Sequence, residues 1–243
     1  MNTLILIPTY NERENIRTAV MDVFKNAPEV SIMVIDDNSP DGTASVVEEM
    51  MLVFPRLMLL KRVKKEGLGV AYKTAITKVC SEFNFDTIVT MDADGSHDAL
   101  HLREILQKLE VNDLVVGSRY IRGGGVENWE PWRFMLSKYG NFYANFLAGV
   151  PVRDLTAGYV GFKTNIISRM QFERLSASGY AYQIEFKFYA FYYANAKCVE
   201  VPIFFRNRKE GESKISKHIV REGAVTPIRL FFKRFRYFLG LNS

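Results

Sequence analysis

Short apolar runs alternate with amphipathic stretches through the first half of the chain. Five runs rich in Val, Ile and Leu are typical of buried strands, namely Leu4–Ile7, Ser31–Ile35, Leu57–Lys61, Thr87–Met91 and Leu114–Val116. Four stretches between them space their apolar residues as helices do, namely Glu12–Phe24, Gly42–Phe54, Gly67–Glu82 and Asp98–Glu110. Apolar strands separated by helices predict an α/β fold with a mostly parallel sheet flanked by helices on both faces.

The second half of the chain has a different pattern. A glycine triplet at 123–125 and an aromatic stretch precede a helical pattern near Tyr180–Ala194 and a strand pattern near Cys198–Phe205. From Ile215 onward, apolar residues recur at mostly helical spacing among Lys and Arg, which predicts a basic amphipathic C-terminal helix. We therefore expect a single domain over residues 1–214 and a basic amphipathic segment at a membrane interface over residues 215–243.

The positive charge of the chain is concentrated near its C-terminal end. The whole chain has 32 Lys and Arg against 27 Asp and Glu, but 10 of the former and 3 of the latter lie between Arg206 and Arg236. The rest of the chain therefore carries a net charge of −2. A basic helix interleaved with phenylalanine suits an anionic membrane surface, and we expect no nucleic-acid partner.

Composition restricts the class of protein and its location. Apolar residues make up 48% and charged residues 24%, as in ordinary folded proteins, which excludes a disordered or fibrous chain. Cys80 and Cys198 are far apart, which is typical of free thiols in a reducing compartment. The longest uncharged stretch, Tyr139–Val152, is shorter than the roughly 20 residues that span a bilayer. We expect a cytoplasmic protein, peripheral on the cytosolic face of a membrane.

Carboxylates follow three of the predicted strands at the point where each strand ends. Glu12 follows the first strand, Asp36 and Asp37 the second, and Asp92 and Asp94 the fourth. The carboxyl edge of a parallel sheet is where ligands bind in α/β folds. Two aspartates one residue apart supply hard oxygen ligands for Mg²⁺ or Mn²⁺, which also accept water and diphosphate oxygens. We expect Asp94 to be the chief metal ligand and Asp92 to assist it.

Three side chains are also predicted to cap helices. Asn11 followed by Glu14 fits a capping box for the first helix, and Asp41 and Asp98 precede two others.

A set of motifs, taken in order, resembles the dolichol-phosphate (polyprenyl-phosphate) mannosyltransferases among the family 2 glycosyltransferases. The resemblance runs from about residue 3 to residue 216. The motifs are Pro-Thr-Tyr-Asn-Glu at 8–12, Asp-Asp-x-Ser-x-Asp-Gly-Thr at 36–43, Asp-Ala-Asp-x-Ser-His at 92–97, Gly-Ser-Arg-Tyr at 117–120, Tyr-Gln-x-Glu at 182–185 and Arg-x-x-Gly-Glu-Ser-Lys at 208–214.

The resemblance implies a GT-A-type nucleotide-diphosphate-sugar fold and transfer of mannose, with inversion, from GDP-mannose to a polyprenyl (dolichyl) phosphate. It also implies site residues. The guanosine pocket would be lined by Pro8, Tyr10, Glu12, Ile35 and Asp37; the ribose, metal and diphosphate would be held by Asp92, Ala93 and Asp94; and the phosphates would be faced by Arg119, Arg208 and Lys214. Of these, Asp94, Arg119 and Arg208 would be catalytic. Arg133 and Ser137, four residues apart on a helix, match positions that receive the acceptor phosphate.

Several alternatives remain open at this point. The same fold could use UDP-glucose or another nucleotide sugar, and a noncatalytic module that docks on anionic membranes is a hypothesis of another class. A membrane-anchored accessory subunit is a possible partner. Glu185 could orient a sugar hydroxyl or pair with Lys187 or Arg208. His97 and His101 have the spacing of zinc ligands, but the glutamate of the zinc hydrolase motif is missing, so we expect His97 beside the diphosphate site and His101 at the surface.

Overall fold

A computed structural model describes residues 1–127, 129–206 and 217–241 of the chain, and for residues 217–220 it describes the backbone alone. Nine strands are present in this part: β1 (Thr3–Thr9), β2 (Ser31–Asp36), β3 (Leu57–Lys61), β4 (Thr87–Thr90), β5 (Leu114–Ser118), β6 (Gly125–Val126), β7 (Val160–Lys163), β8 (Cys198–Pro202) and β9 (Phe204–Phe205). Seven form one sheet in the order β3-β2-β1-β4-β7-β5-β8, in which only β7 runs antiparallel to its neighbours. The short strands β6 and β9 pair separately.

Eight α-helices accompany these strands in the described residues. They are α1 (Arg13–Asn26), α2 (Thr43–Met51), α3 (Leu68–Glu82), α4 (Leu102–Leu109), α5 (Pro131–Ala148), α6 (Asn165–Arg169), α7 (Ala181–Tyr192) and α8 (Lys217–Phe238). The predicted α/β class and mostly parallel sheet are confirmed, with every predicted strand and helix of the first half present. The sequence pattern missed β7, a four-residue strand with a glycine inside it. A Cβ at Gly161 would approach Ile105 to 2.8 Å, so close packing there requires a residue that weakens the strand signal.

Two of the three predicted caps need correction. The capping box of Asn11 and Glu14 is wrong, because α1 begins one residue later and its N-cap Glu12 makes no capping side-chain bond. Asn11 instead has a φ of +58° and donates its backbone N–H to Ser39 Oγ at 3.0 Å. Asp41 lies one residue before the N-cap of α2, although it still accepts the Thr43 N–H at 2.9 Å. Asp98 caps a 3₁₀ turn at Ala99–His101, as expected.

The apolar core lies on both faces of the main sheet. Alternate residues of β1 point to opposite faces, so Leu4 and Leu6 pack with α3 and α7 while Ile5 and Ile7 pack with α1 and α4. Burying each such side chain contributes about 1.5–3 kcal/mol relative to exposure. The helices therefore hold the sheet rigidly, and the strand ends that follow these buried residues have fixed positions.

The C-terminal helix α8 packs along α5 and α7. Leu230 and Thr226 are buried in this contact, whereas much of the remaining apolar surface of α8 is exposed. The expected boundary between residues 214 and 215 lies outside the described residues and stays a prediction. None of the helices in the described part of the chain combines the length and the apolar character needed to cross a bilayer.

Candidate active site

A crevice of about 630 Å³ opens at the carboxyl edge of the parallel strands. Its lining comes from the segments that follow β1, β2 and β4, from the start of α3 and from the loop before α7. The lining residues are Pro8, Thr9, Tyr10, Glu12, Asp37, Lys65, Glu66, Gly67, Leu68, Ala71, Asp92, Ala93, Asp94, Ser178, Gly179 and Tyr180. This volume falls in the range of small-molecule sites.

The parallel register explains why the predicted nucleotide residues meet. Pro8 pairs with Ile35, and Thr9 with Asp36, so β1 and β2 end side by side. Leu6 pairs with Thr90 on the other flank, which places Asp92 beside the end of β1. Seven of the residues predicted for this site line the crevice, namely Pro8, Tyr10, Glu12, Asp37, Asp92, Ala93 and Asp94.

Asp37 is held by a buried arginine at one end of the crevice. Arg62 Nη1 lies 2.5 Å from Asp37 Oδ1, and its Nη2 lies 2.8 Å from Glu66 Oε2. Burial raises the pKa of Asp37, and the charge of Arg62 offsets only part of that rise. The arginine thus fixes a carboxylate at the crevice wall.

Asp92 and Asp94 fit the requirements of a divalent metal. Both line the crevice, and Asp94 Oδ1 accepts the Ser96 N–H at 3.0 Å. His97 Nδ1 accepts the Asp92 N–H at 3.0 Å, and this hydrogen bond holds the backbone of the turn at Asp92. Within the described residues, no group of three His, Cys, Asp or Glu side chains gathers as a closed metal site. Two carboxylates one residue apart suit Mg²⁺ or Mn²⁺, which take water and phosphate oxygens as further ligands.

The charge of the crevice points to the same chemistry. Among the described residues, its lining includes five carboxylates, with Lys65 as the single basic side chain. An anionic nucleotide would be repelled by such a surface unless a cation lay between them. The residues present therefore fit a divalent cation, which Asp92 and Asp94 would hold and which would supply positive charge for a diphosphate.

Two residues predicted for this site do not line the crevice. Ile35 is fully buried in the core, because it lies inside β2, whereas Asp37 lies just after the end of the strand. Arg119 is also absent from the lining, and its guanidinium is paired with buried Asp154 through Nε at 2.7 Å and Nη2 at 2.8 Å. Burial alone would lower the pKa of Arg119, but the charge of Asp154 outweighs burial and raises it. The prediction that Arg119 faces the phosphates of the substrates stays a prediction, since this structure pairs its guanidinium with Asp154 outside the crevice lining.

Arg133 and Ser137 lie together on α5, as their spacing predicts. The Arg133 guanidinium stacks 4.5 Å from the centre of the Trp129 ring, and Ser137 Oγ lies 2.7 Å from Tyr120 Oη. The Arg119 guanidinium also lies near both of these rings, at 5.1 Å from the centre of Tyr120 and 6.0 Å from that of Trp129, so each of Arg119, Arg133 and Ser137 has at least one of the two as a neighbour. Arg208 and Lys214, the other two predicted cationic residues, lie outside the described residues.

His97 lies beside Asp92, whereas His101 and Glu185 lie in surroundings that the sequence did not predict. His97 is buried next to Asp92, and His101 is half-buried with its Nε2 accepting the Phe204 N–H at 3.3 Å. Glu185 is fully buried and pairs with Arg229 of α8, a partner that sequence reasoning did not consider.

Sequence reasoning also missed part of the crevice wall. Lys65 Nζ lies 3.7 Å from the centre of the Tyr10 ring, and Ser178, Gly179 and Tyr180 form the wall opposite the strand ends. The basic and glycine-containing stretch 64–69, directly after β3, was the available signal for Lys65. The three wall residues had no comparable signal, because they precede α7 rather than follow a parallel strand.

Comparison with known proteins identifies the family. The model of glycosyl transferase family 2 matches residues 4–170, which is more than half of the chain. The chain belongs to glycosyl transferase family 2. A relative from Mycolicibacterium smegmatis, polyprenol monophosphomannose synthase, is 41% identical over 90% of this chain and 83% of its own length. The undecaprenyl-phosphate mannosyltransferase of Micrococcus luteus is 36% identical over 94% and 93%.

Solved structures show the same fold. The glucosyl-3-phosphoglycerate synthase from Mycobacterium tuberculosis, in complex with Mn²⁺, uridine diphosphate and glucosyl-3-phosphoglycerate, has a TM-score of 0.67 and 14% identity, covering 95% of this chain and 80% of that one. The same enzyme in complex with Mg²⁺ and uridine diphosphate has a TM-score of 0.65. The predicted GT-A-type architecture of this family 2 chain is therefore confirmed.

Proposed function

We propose that this enzyme transfers a mannosyl group from GDP-mannose to the phosphate of a polyprenyl phosphate, producing polyprenyl-phosphate mannose. The observation that carries the proposal is 36–41% identity, over most of both chains, to two proteins named for polyprenyl-phosphate mannose synthesis. The crevice with Asp92 and Asp94 at the strand ends supports it, since a nucleoside diphosphate needs a cation at such a surface.

The crevice residues divide the work of binding the donor. Pro8, Tyr10, Glu12 and Asp37 lie where β1 and β2 end and would surround the nucleoside. Asp92 and Asp94 would hold Mg²⁺ or Mn²⁺, and that ion supplies electrostatic stabilisation of the departing diphosphate. Arg208 and Lys214 are proposed to add positive charge at the phosphates.

The acceptor needs no general base. The second pKa of a phosphate monoester is about 6, so at pH 7 the acceptor is mostly a dianion. One of its oxygens forms a bond to the anomeric carbon as the bond from that carbon to the diphosphate oxygen breaks, and attack from the opposite face inverts the carbon. Arg133 and Ser137, one turn apart on α5, would bind the acceptor phosphate.

Exposed apolar side chains support a site at a membrane surface. Helices α5 and α8 pack together, and both expose large apolar residues: Trp132, Leu136, Phe142 and Phe146 on α5, and Phe231, Phe232, Phe235 and Phe238 on α8. Basic residues 229, 233, 234 and 236 lie among the latter. Aromatic side chains interleaved with cations favour the interface of an anionic membrane. We propose that the enzyme is peripheral on a cytosolic membrane face, with or without a membrane-anchored accessory subunit.

A transfer assay tests this proposal. Purified protein is incubated with labelled GDP-mannose, Mg²⁺ and polyprenyl phosphate in vesicles, and label extracted into organic solvent is counted. We expect product with GDP-mannose and none after chelation of the metal. Product with UDP-glucose but not with GDP-mannose would replace the proposed donor, and vesicle binding without nucleotide-sugar binding would indicate a noncatalytic docking module.

A further inference from the structure

The wall of the crevice opposite the strand ends is a loop, residues 176–180, that no strand or helix contains. Ser178, Gly179 and Tyr180 contribute its crevice surface. One side of the loop lies tightly against the start of α3, where the Gly69 N–H donates to the Ser178 carbonyl at 2.8 Å. A Cβ at Gly67, whose φ is +100°, would come within 2.5 Å of that same carbonyl oxygen. The loop thus has no room to move toward α3.

The other side of the loop is held by carboxylates. The backbone N–H groups of Ser176 and Ala177 donate to Glu185 of α7 at 2.8 and 2.7 Å. The next two N–H groups, of Ser178 and Gly179, donate to Oε1 and Oε2 of Glu222 in α8 at 2.8 and 2.9 Å. Four successive backbone donors therefore bind two carboxylates, one of which belongs to the C-terminal helix.

Arg229 connects the two carboxylate contacts. Its guanidinium pairs with Glu185, and its Nη1 donates to Ser176 Oγ at 2.7 Å. Glu222 and Arg229 lie two turns apart on α8, so both point to the loop while the phenylalanines farther along the helix are exposed. Glu222 and Arg229 thus contact one short segment, and that segment lines the crevice.

We infer that Glu222 and Arg229 are positioning residues, through which α8 holds the loop 176–180 in the shape that binds the nucleotide sugar. The inference rests on the proposed function in taking the crevice as the donor site. A carboxylate binds two adjacent N–H groups with both oxygens, whereas an amide offers one acceptor and a second group that donates. Glu222→Gln therefore removes one hydrogen bond and places a donor against the other N–H, at nearly unchanged size.

The test measures GDP binding by calorimetry with Mg²⁺ and without lipid, in wild type, Glu222→Gln and the control Glu49→Gln. Glu49 is exposed on α2 and does not line the crevice. We expect Glu222→Gln to weaken GDP binding about tenfold, the order of effect of lost hydrogen bonds to a charged group, and Glu49→Gln to leave it unchanged. In steady state, the KM for GDP-mannose should rise more than kcat falls. Arg229→Gln, which removes the charge but leaves Glu222 in place, should weaken GDP binding less.

Hydrogen exchange supplies a second readout. The amides of Ser178 and Gly179 should exchange faster in Glu222→Gln, while those of the buried strand β1 should not change. Equal GDP affinity in wild type and Glu222→Gln would overturn the inference, as would faster exchange throughout the protein, which indicates general destabilisation. Failure of the wild type itself to bind GDP would instead contradict the proposed function.

Discussion

The two halves of the chain use their charged side chains in opposite ways. In the first half, Asp37, Asp92 and Asp94 follow parallel strands and line the crevice. In the second half, Asp154, Glu185 and Lys187 are fully buried and bind loop backbone or other charged groups. In the proposed function the strand ends supply the chemistry, whereas the later elements use charge to fix irregular backbone around it. Substitutions in the two groups should therefore affect different measurements.

The largest expected effect on stability comes from Asp154→Asn. Asp154 is the partner of the buried Arg119 guanidinium, which would lose its counter-charge in the variant. Breaking a buried ion pair from one side costs about 3–5 kcal/mol, so urea denaturation should show a loss of that order in the free energy of unfolding. The control is Asp113→Asn, which breaks a partly exposed pair with Lys163 and should cost about 1 kcal/mol or less. Similar losses in both variants would remove the distinction between buried and exposed charges.

Asp94→Asn is expected to change activity rather than stability. The amide oxygen can still accept the Ser96 N–H, so the turn should persist and the melting temperature should stay close to that of the wild type. Loss of a negatively charged metal ligand should lower kcat for mannosyl transfer by roughly 10²–10³-fold, the scale of removing one electrostatic contact from a transition state. Initial rates at saturating Mg²⁺ measure this. A variant with near wild-type rates would place the metal elsewhere.

The pH dependence of stability tests Lys187, the most deeply buried cation in the part of the chain that the structure describes. Its Nζ donates to the carbonyls of Leu155 and Ala157 at 3.0 and 2.7 Å. Burial lowers its pKa to about 7, against the opposing effect of Asp154. The unfolded lysine, with a pKa of about 10.4, then binds more protons than the folded one between these two pH values. The lysine's contribution to stability should therefore increase as the pH rises from 7 toward 10.

The measurement compares urea denaturation of wild type and Lys187→Met at pH 7, 8 and 9. The stability of the wild type relative to the variant should rise with pH, by at most about 1.4 kcal/mol for each unit, which is the limit for one proton. A constant difference would mean that Lys187 stays charged in the fold, held by its carbonyl acceptors and Asp154.

The contrast between the carboxylates at the strand ends and the buried charges of the second half also explains which parts of the site could be predicted from the sequence. Asp92 and Asp94 follow an apolar run, and the parallel register that joins strand ends follows from the class of fold, so their meeting was predictable. The contact between Glu222 and the loop was not predictable. In the sequence Glu222 is one acidic residue of a basic helix, and its partners Ser178 and Gly179 lie more than 40 positions earlier. Arg119 was assigned to the phosphates by its motif, but its partner Asp154 lies 35 positions away. Periodicity and motifs report local order, and long-range polar contacts leave no such pattern.

The smallest expected effect concerns Lys65, a basic residue of the crevice supplied by the first half. Its Nζ lies 3.7 Å from the centre of the Tyr10 ring, and the lysine is exposed and does not pack in the core. A cation over an aromatic ring at an exposed site contributes about 0.5–1 kcal/mol, so Lys65→Ala should weaken GDP binding by about two- to fivefold, with little change in melting temperature. Calorimetry with GDP and with guanosine separates two possible causes. Weakening for GDP alone indicates that the lysine charge attracts the phosphates, while equal weakening for both indicates that it orders Tyr10 against the base. No change for either ligand would exclude Lys65 from the binding surface and leave the carboxylates to act through the metal alone.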